Sequence, residues 1–120
     1  MKQITILWME RKEARIITAT PSEITEDVHV ASDEPELPSE GVTPDYRRQR
    51  KDARKDYFEH IIQAIDTTYE IVIFGSDSSK EEFLDYLNKH NEELYNRVIG
   101  VEASGDMPEE KIIARGRKYI

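Results

Sequence analysis

Residues 69–87, YEIVIFGSDSSKEEFLDYL, constrain the fold more than any other stretch of this chain. Ile71, Val72, Ile73 and Phe74 form an unbroken run of β-branched and aromatic residues. Such a run suits a strand covered on both faces, as in a parallel sheet flanked by helices. Gly75 follows where the backbone must turn sharply. Ser78 precedes Glu81 at capping-box spacing. Phe83, Leu84 and Leu87 then recur at helical intervals and would face the strand just left. A helix leaving a strand in this way returns the chain to a parallel neighbour.

The other elements arrange themselves around that unit. Ile4–Met9 and Arg15–Ala19 are β-prone runs separated by the polar turn Glu10-Arg11-Lys12-Glu13, and read as a hairpin. Asp27–Ala31 alternates and predicts an edge-like third strand with Val28 and Val30 inward. Ser32–Pro44 has three prolines, Gly41 and no apolar period, so a mobile loop is expected there. Asp45–Asp66 predicts the longest helix, with Tyr57, Phe58, Ile61, Ile62 and Ile65 as its core stripe. Its charged first half would project beyond the sheet. A polar stretch leads through Asn88 and Asn91 to Asn96, and Val98–Val101 predicts a fifth strand. Gly105 and Asp106 turn the chain, Pro108 sits near a helix start, and Ile112, Ile113 and Tyr119 pack the last helix. The predicted order is β-β-β-α-β-α-β-α in an α/β fold with a mixed sheet of about five strands. No internal repeat or second domain is visible, so residues 1–120 are expected to form one domain.

Charge narrows the partners. The net charge of −8 argues against wholesale wrapping of nucleic acid. Its distribution is uneven, however. Glu23–Glu40 holds seven acids and no Lys or Arg, whereas Arg47–Lys55 holds six bases against one acid. With no cysteine, thiolate chemistry and disulfides are excluded. There is no bilayer-length apolar run and no signal peptide is expected, so no membrane partner is expected and the cytoplasm is the compatible compartment.

Two sets of residues stand out. Arg47, Arg48, Arg50, Lys51, Arg54 and Lys55 are candidates for RNA phosphate contact, with Tyr46 placed to stack on a base. The plain alternative is a solvated helix end that balances the acidic loop. In the turn, Gly75, Ser76, Ser78, Ser79 and Lys80 are candidates for holding an anion at a helix N-terminus. Against this, Asp77 would repel an anion, P-loop spacing is absent, and the serines are ordinary caps. His29, His60 and His90 lack metal-ligand spacing, and no serine lies in a nucleophile elbow. No cofactor is expected.

Three antiparallel strands, a helix and two strand-helix units describe a three-layer ribonuclease H-like topology. Within it, FGSDSSKEEFLDYL resembles the Gly/Ser-Pro-Gly-Phe-x-Lys-x-x-Phe stretch of the middle domain of Pelota. That domain is in turn similar to the middle domain of eukaryotic and archaeal class 1 release factors. Gly75, Lys80 and Phe83 match this pattern, while Ser76, Asp77 and Ser78 depart from it. ILWMERKEARII, Val98-Ile99-Gly100-Val101-Glu102 and Lys118-Tyr119-Ile120 resemble the opening and ending of short bacterial proteins described as translational machinery components. The release factors carry Gly-Gly-Gln before the long helix. This chain has SEGVTPDYRRQRKDARKDY there, with one glycine and no Gly-Gly-Gln. The resemblance therefore implies a translation-related module, with ribosome or tRNA as partner, that does not hydrolyse peptidyl-tRNA by that route.

Two other functions compete with this one. In a homo-oligomer, the acidic loop of one copy would meet the basic helix of the next. In a metal-dependent phosphodiesterase, Glu10, Asp56, Glu59 and Asp77 would supply carboxylates at one end of the sheet.

Overall fold

A computed structural model describes residues 2–105 and 107–120 of the chain. β1 (Ile4–Met9), β2 (Glu13–Ala19) and β3 (Ile24–Ala31) are followed by α1 (Pro44–Ala64), β4 (Glu70–Gly75) and α2 (Ser79–His90). The short α3 (Glu92–Tyr95), β5 (Val98–Ala103) and α4 (Glu109–Arg117) complete the order. The five strands form one mixed sheet in the order β3-β2-β1-β4-β5. β1 pairs antiparallel with β2 and parallel with β4, with Ile6 opposite both Ile17 and Val72. β2 pairs antiparallel with β3, and β4 pairs parallel with β5.

The pleat divides the apolar residues between two layers, as strand alternation requires. Leu7, Met9, Ala14, Ile16, Ile71 and Ile73 face Tyr57, Phe58 and Ile61 of α1 and Phe83 and Leu87 of α2. Ile4, Ile6, Ile17, Val72 and Phe74 face Ile112 and Ile113 of α4. Ile71 through Phe74 are all fully buried, so the run that reads as a covered strand lies inside the sheet with helices on both faces. Gly116 brings α4 close, because a Cβ there would overlap the Ile6 side chain. Together these layers make a three-layer α/β fold of ribonuclease H-like topology.

Four expectations need correction. Val28 does not point into the core. It remains exposed, because β3 is the outermost strand and α1 reaches it only in part; of its two valines Val30 alone packs partly against the α1 side. β1 has the expected bounds, but β2 and β3 are longer than the runs expected for them, since their ladder pairing extends to Glu13 and Ile24 regardless of hydropathy. The polar stretch before β5 contains a helical turn, α3. Asn91 caps it by accepting the Leu94 N–H at 3.2 Å, and Leu94 is fully buried. Tyr119 lies beyond α4 and covers Gly100, donating its hydroxyl to Glu102 at 2.6 Å. Asp106, half of the turn expected before α4, falls outside the described residues.

Candidate nucleic-acid interface

The parallel strands β1 and β4 end side by side, and the polar side chains gather beyond those ends. Gly75 closes β4 against Met9, whose carbonyl oxygen occupies the place a Cβ would need. Carboxyl ends of strands are where open α/β sheets bind ligands. Two carbonyls and a turn begin the site. Glu10 accepts the Tyr57 hydroxyl at 2.8 Å, and its N–H donates to Glu13 at 2.9 Å to close the β1–β2 turn.

Asp77, not Ser78, caps α2. Its Oδ1 accepts the Ser79 N–H at 2.8 Å and its Oδ2 accepts the Arg11 N–H at 3.0 Å. Ser78 has helical backbone angles and makes no cap bond, so the expected Ser78–Glu81 box does not form. A charged carboxylate one residue earlier is the stronger acceptor and is favoured by the helix dipole. Burial pushes the Asp77 carboxyl up, but the N–H groups of Ser79 and Arg11 and the charge of Lys80 outweigh it and hold the carboxyl below its ordinary value. Lys80 is buried along its stem and donates to the Asp77 carbonyl at 2.7 Å, with Glu81 at 3.3 Å. Gly75, Ser76, Ser78, Ser79 and Lys80 thus surround an N-terminus already filled by the chain's own carboxylate. An external anion would have to displace Asp77.

The basic start of α1 separates into two stripes. Thr43 accepts the Tyr46 N–H at 3.1 Å and Pro44 opens the helix, which leaves Tyr46 half-buried. Arg47, Lys51 and Lys55 recur every four residues on one exposed stripe and have no hydrogen-bond or ion-pair partner among the described residues. Arg48 beside them is exposed and reaches Asp45 at 2.7 Å. Arg50 and Arg54 lie on the stripe that continues through Tyr57, Phe58 and Ile61; Arg50 stays exposed and reaches Glu34, while Arg54 turns inward. The Arg54 side chain is only 11% exposed. Its guanidinium sits 4.8 Å from the Phe58 ring centre and donates to the Arg11 carbonyl at 2.6 Å and to the Ser79 hydroxyl at 3.3 Å. It therefore ties the basic helix, the β1–β2 turn and the start of α2 into one constellation. The expectation that the whole charged half projects from the body does not hold for this residue.

Arg54→Ala is accordingly expected to lower stability by about 2 kcal/mol, through an orphaned buried carbonyl and a lost cation–π contact. Lys51→Ala and Lys55→Ala are expected to stay within about 0.5 kcal/mol of the parent. Urea denaturation would separate the two classes, and equal midpoints for all three would contradict this placement.

Two site residues carried no signal in the sequence: Arg11, one charge in a charged turn, and Glu34, one acid in an acidic loop. The Glu34 side chain is 5% exposed. It receives Arg11 Nε at 3.0 Å and Arg11 Nη2 at 2.5 Å, on its two oxygens, and Arg50 Nε at 3.1 Å. The pairing of acidic loop with basic helix imagined between copies thus occurs within one chain. Burial pushes the Glu34 carboxyl up, but the hydrogen bond from Arg11 and the charges of Arg11, Arg54 and Arg50 hold it below the ordinary 4.5. A lowered carboxyl stabilises the fold above its unfolded pKa and loses that contribution as pH falls through its folded value. The stability difference between the parent and Glu34→Gln is therefore expected to be full at neutral pH and to shrink below pH 4.5. Thermal melts at pH 7 and in the acid limb would read it, and a pH-independent difference would overturn the assignment.

The carboxylate group that a metal-dependent phosphodiesterase would need does not assemble: among the described residues no three His, Asp or Glu side chains come together as metal ligands. Glu59 instead accepts the Tyr86 hydroxyl at 2.6 Å, and Asp77 is the α2 cap. No described helix is long and apolar enough to cross a membrane.

The sheet order and the helices on its two faces define an α/β fold of ribonuclease H-like topology. Among solved structures, the chain is similar in fold to Archaeoglobus fulgidus Pelota, at 13% identity and a TM-score of 0.66, covering 98% of this chain and 31% of that one. Thermoplasma acidophilum Pelota is similar at 19% identity and a TM-score of 0.57, over 98% of this chain and 33% of that one. An archaeal translation termination factor is similar at 16% identity and a TM-score of 0.60, over 97% of this chain and 34% of that one. The chain thus spans about a third of the length of each. No family model and no curated protein matches the sequence.

Proposed function

We propose that this chain is a non-catalytic binding module of the translation machinery that contacts RNA through the exposed stripe of α1. The observation that carries this reading is the row Arg47, Lys51 and Lys55, with Arg48 beside it, at the carboxyl end of the sheet. Arg47, Lys51 and Lys55 are solvated and unpaired among the described residues, and Arg48 pairs only with the exposed Asp45, so the row remains available to phosphates within a chain of net charge −8. Tyr46, in the first turn of the same helix, would lie beside a bound strand. Likeness in fold to Pelota and to a termination factor supports a ribosome or tRNA as the RNA presented to this stripe. It also supports a cytoplasmic setting. The sequence lacks Gly-Gly-Gln, which argues for binding without hydrolysis.

The direct test is titration with tRNA and with ribosomes at two salt concentrations. Binding that weakens steeply with salt is expected. Failure to bind either at low salt would end this reading.

A further inference from the structure

Beside that stripe, three guanidinium groups converge on one carboxylate. Arg11 grips Glu34 with Nε and Nη2, Arg50 adds Nε at 3.1 Å, and Arg54 contributes its charge from the inner side. A planar fork of this kind matches two oxygens of a phosphate as well as it matches a carboxylate.

The residue that fills the fork stands on weakly fastened backbone. Residues 32–43 contain no helix or strand. The Ser32 N–H donates to the Lys12 carbonyl at 2.7 Å, and Thr43 caps α1. Between these ends, the one backbone–backbone bond among the described residues is internal, from Gly41 to Pro38. Leu37 and Val42 are 60% and 53% exposed, so they do not clamp the segment down either. The Glu34 carboxylate, near the start of the segment, is its side-chain link to the body, and the Glu34 N–H donates to the Ser32 hydroxyl at 3.1 Å; beyond Glu34 no hydrogen bond among the described residues holds the segment to the body before Thr43. Two other acids border the cluster: Asp77 is held by the backbone N–H groups of Ser79 and Arg11, whereas Glu82 faces Arg54 at 3.6 Å and offsets part of the cluster's charge.

We propose that Arg11 and Arg50, backed by Arg54, form a phosphate-binding site in which Glu34 is a displaceable internal occupant. With Glu34 seated, the fork is closed to an outside anion. With Glu34 withdrawn, the fork lies alongside Arg47 and Lys51 and extends the basic surface inward. For a polynucleotide this rests on the interface proposed above; for the phosphate group itself it rests on the arginine geometry alone. An occupant tethered to its own site reduces the affinity of a competitor by the fraction of time the site stands open.

The experiment is calorimetric titration of the parent, Glu34→Gln, and Glu34→Gln combined with Arg11→Gln and Arg50→Gln. Each is titrated with inorganic phosphate and, separately, with a single-stranded RNA oligonucleotide. Glu34→Gln is expected to bind phosphate about tenfold more tightly than the parent, as a site otherwise closed nine-tenths of the time would. The combined variant is expected to lose that gain. No gain in Glu34→Gln, or a gain that survives removal of both arginines, would overturn the site. Should the variants fold poorly, phosphate added to the parent must shift the Nε–H NMR signals of Arg11 and Arg50 before that of Arg48; the reverse order would overturn it equally. A phosphate gain without RNA binding in any variant would keep this site and discard the α1 interface. RNA binding that depends on Arg47 and Lys51 but is indifferent to Glu34→Gln would do the opposite.

Discussion

Phe74→Ala is expected to lower the free energy of unfolding by about 3–5 kcal/mol, the range for removing a buried aromatic ring from a packed core. Phe74 is fully buried in β4, between β1 and β5, on the face that α4 covers. Its removal opens a cavity in the cluster it shares with Ile6, Val72, Ile112 and Ile113, and two strand neighbours prevent the backbone from collapsing into it. A domain of this size holds roughly 5–15 kcal/mol in all, so the variant would sit near the limit of folding. Val101→Ala provides the internal comparison. Val101 lies in β5, the adjoining strand, but at 38% exposure on the sheet edge. It is expected to change stability by less than about 1 kcal/mol, because edge positions can be filled by water. Urea midpoints and slopes for the two variants would decide the matter. Similar losses for both would mean that β4 is not the covered strand.

Reversing Arg47, Arg48, Lys51 and Lys55 to glutamate should weaken RNA binding by roughly 100-fold at low salt, at about threefold per lost phosphate contact with repulsion added. The parent should lose affinity with salt at a log–log slope of about −2 to −3, as three or four contacts to a single strand give at about −0.7 each. In the reversed chain that slope should flatten towards zero. All four side chains are solvated, so the fold should persist, and circular dichroism would confirm it. Arg50 and Arg54 are left intact because Glu34, the Arg11 carbonyl and Ser79 engage them, and their loss would confound binding with stability. An unchanged slope after reversal would place RNA contact elsewhere or nowhere.

Much of the architecture was legible because it depends on local pattern. The Ile71–Phe74 run could only be satisfied under two covers. Phe83, Leu84 and Leu87 could only be one helical face. The hairpin was readable from two apolar runs around Glu10–Glu13, even without a favoured turn dipeptide. What failed was local in a different sense. Ser78 and Glu81 have the right spacing, but Asp77 caps the helix through the Ser79 N–H and Ser78 makes no cap bond. Val28 alternates correctly, yet on the outermost strand the α1 side covers part of Val30 and leaves Val28 exposed. Arg54 was counted with its basic neighbours by composition. Its position four residues before Phe58 and three before Tyr57 placed it on the inward stripe, and that periodicity was present in the sequence.

By itself, then, the sequence determined which segments become strands and helices, and that β4 must be interior, because burial of contiguous apolar side chains admits few arrangements. It also determined that a basic segment would follow an acidic one. Only the tertiary structure decided which of those charges are spent on each other. Glu34 and Arg11 are 23 residues apart, and Glu34 and Arg50 are 16 apart. Charges interact through distances of a few ångströms, and such distances across the fold are set by how the layers pack, which no spacing along the chain encodes.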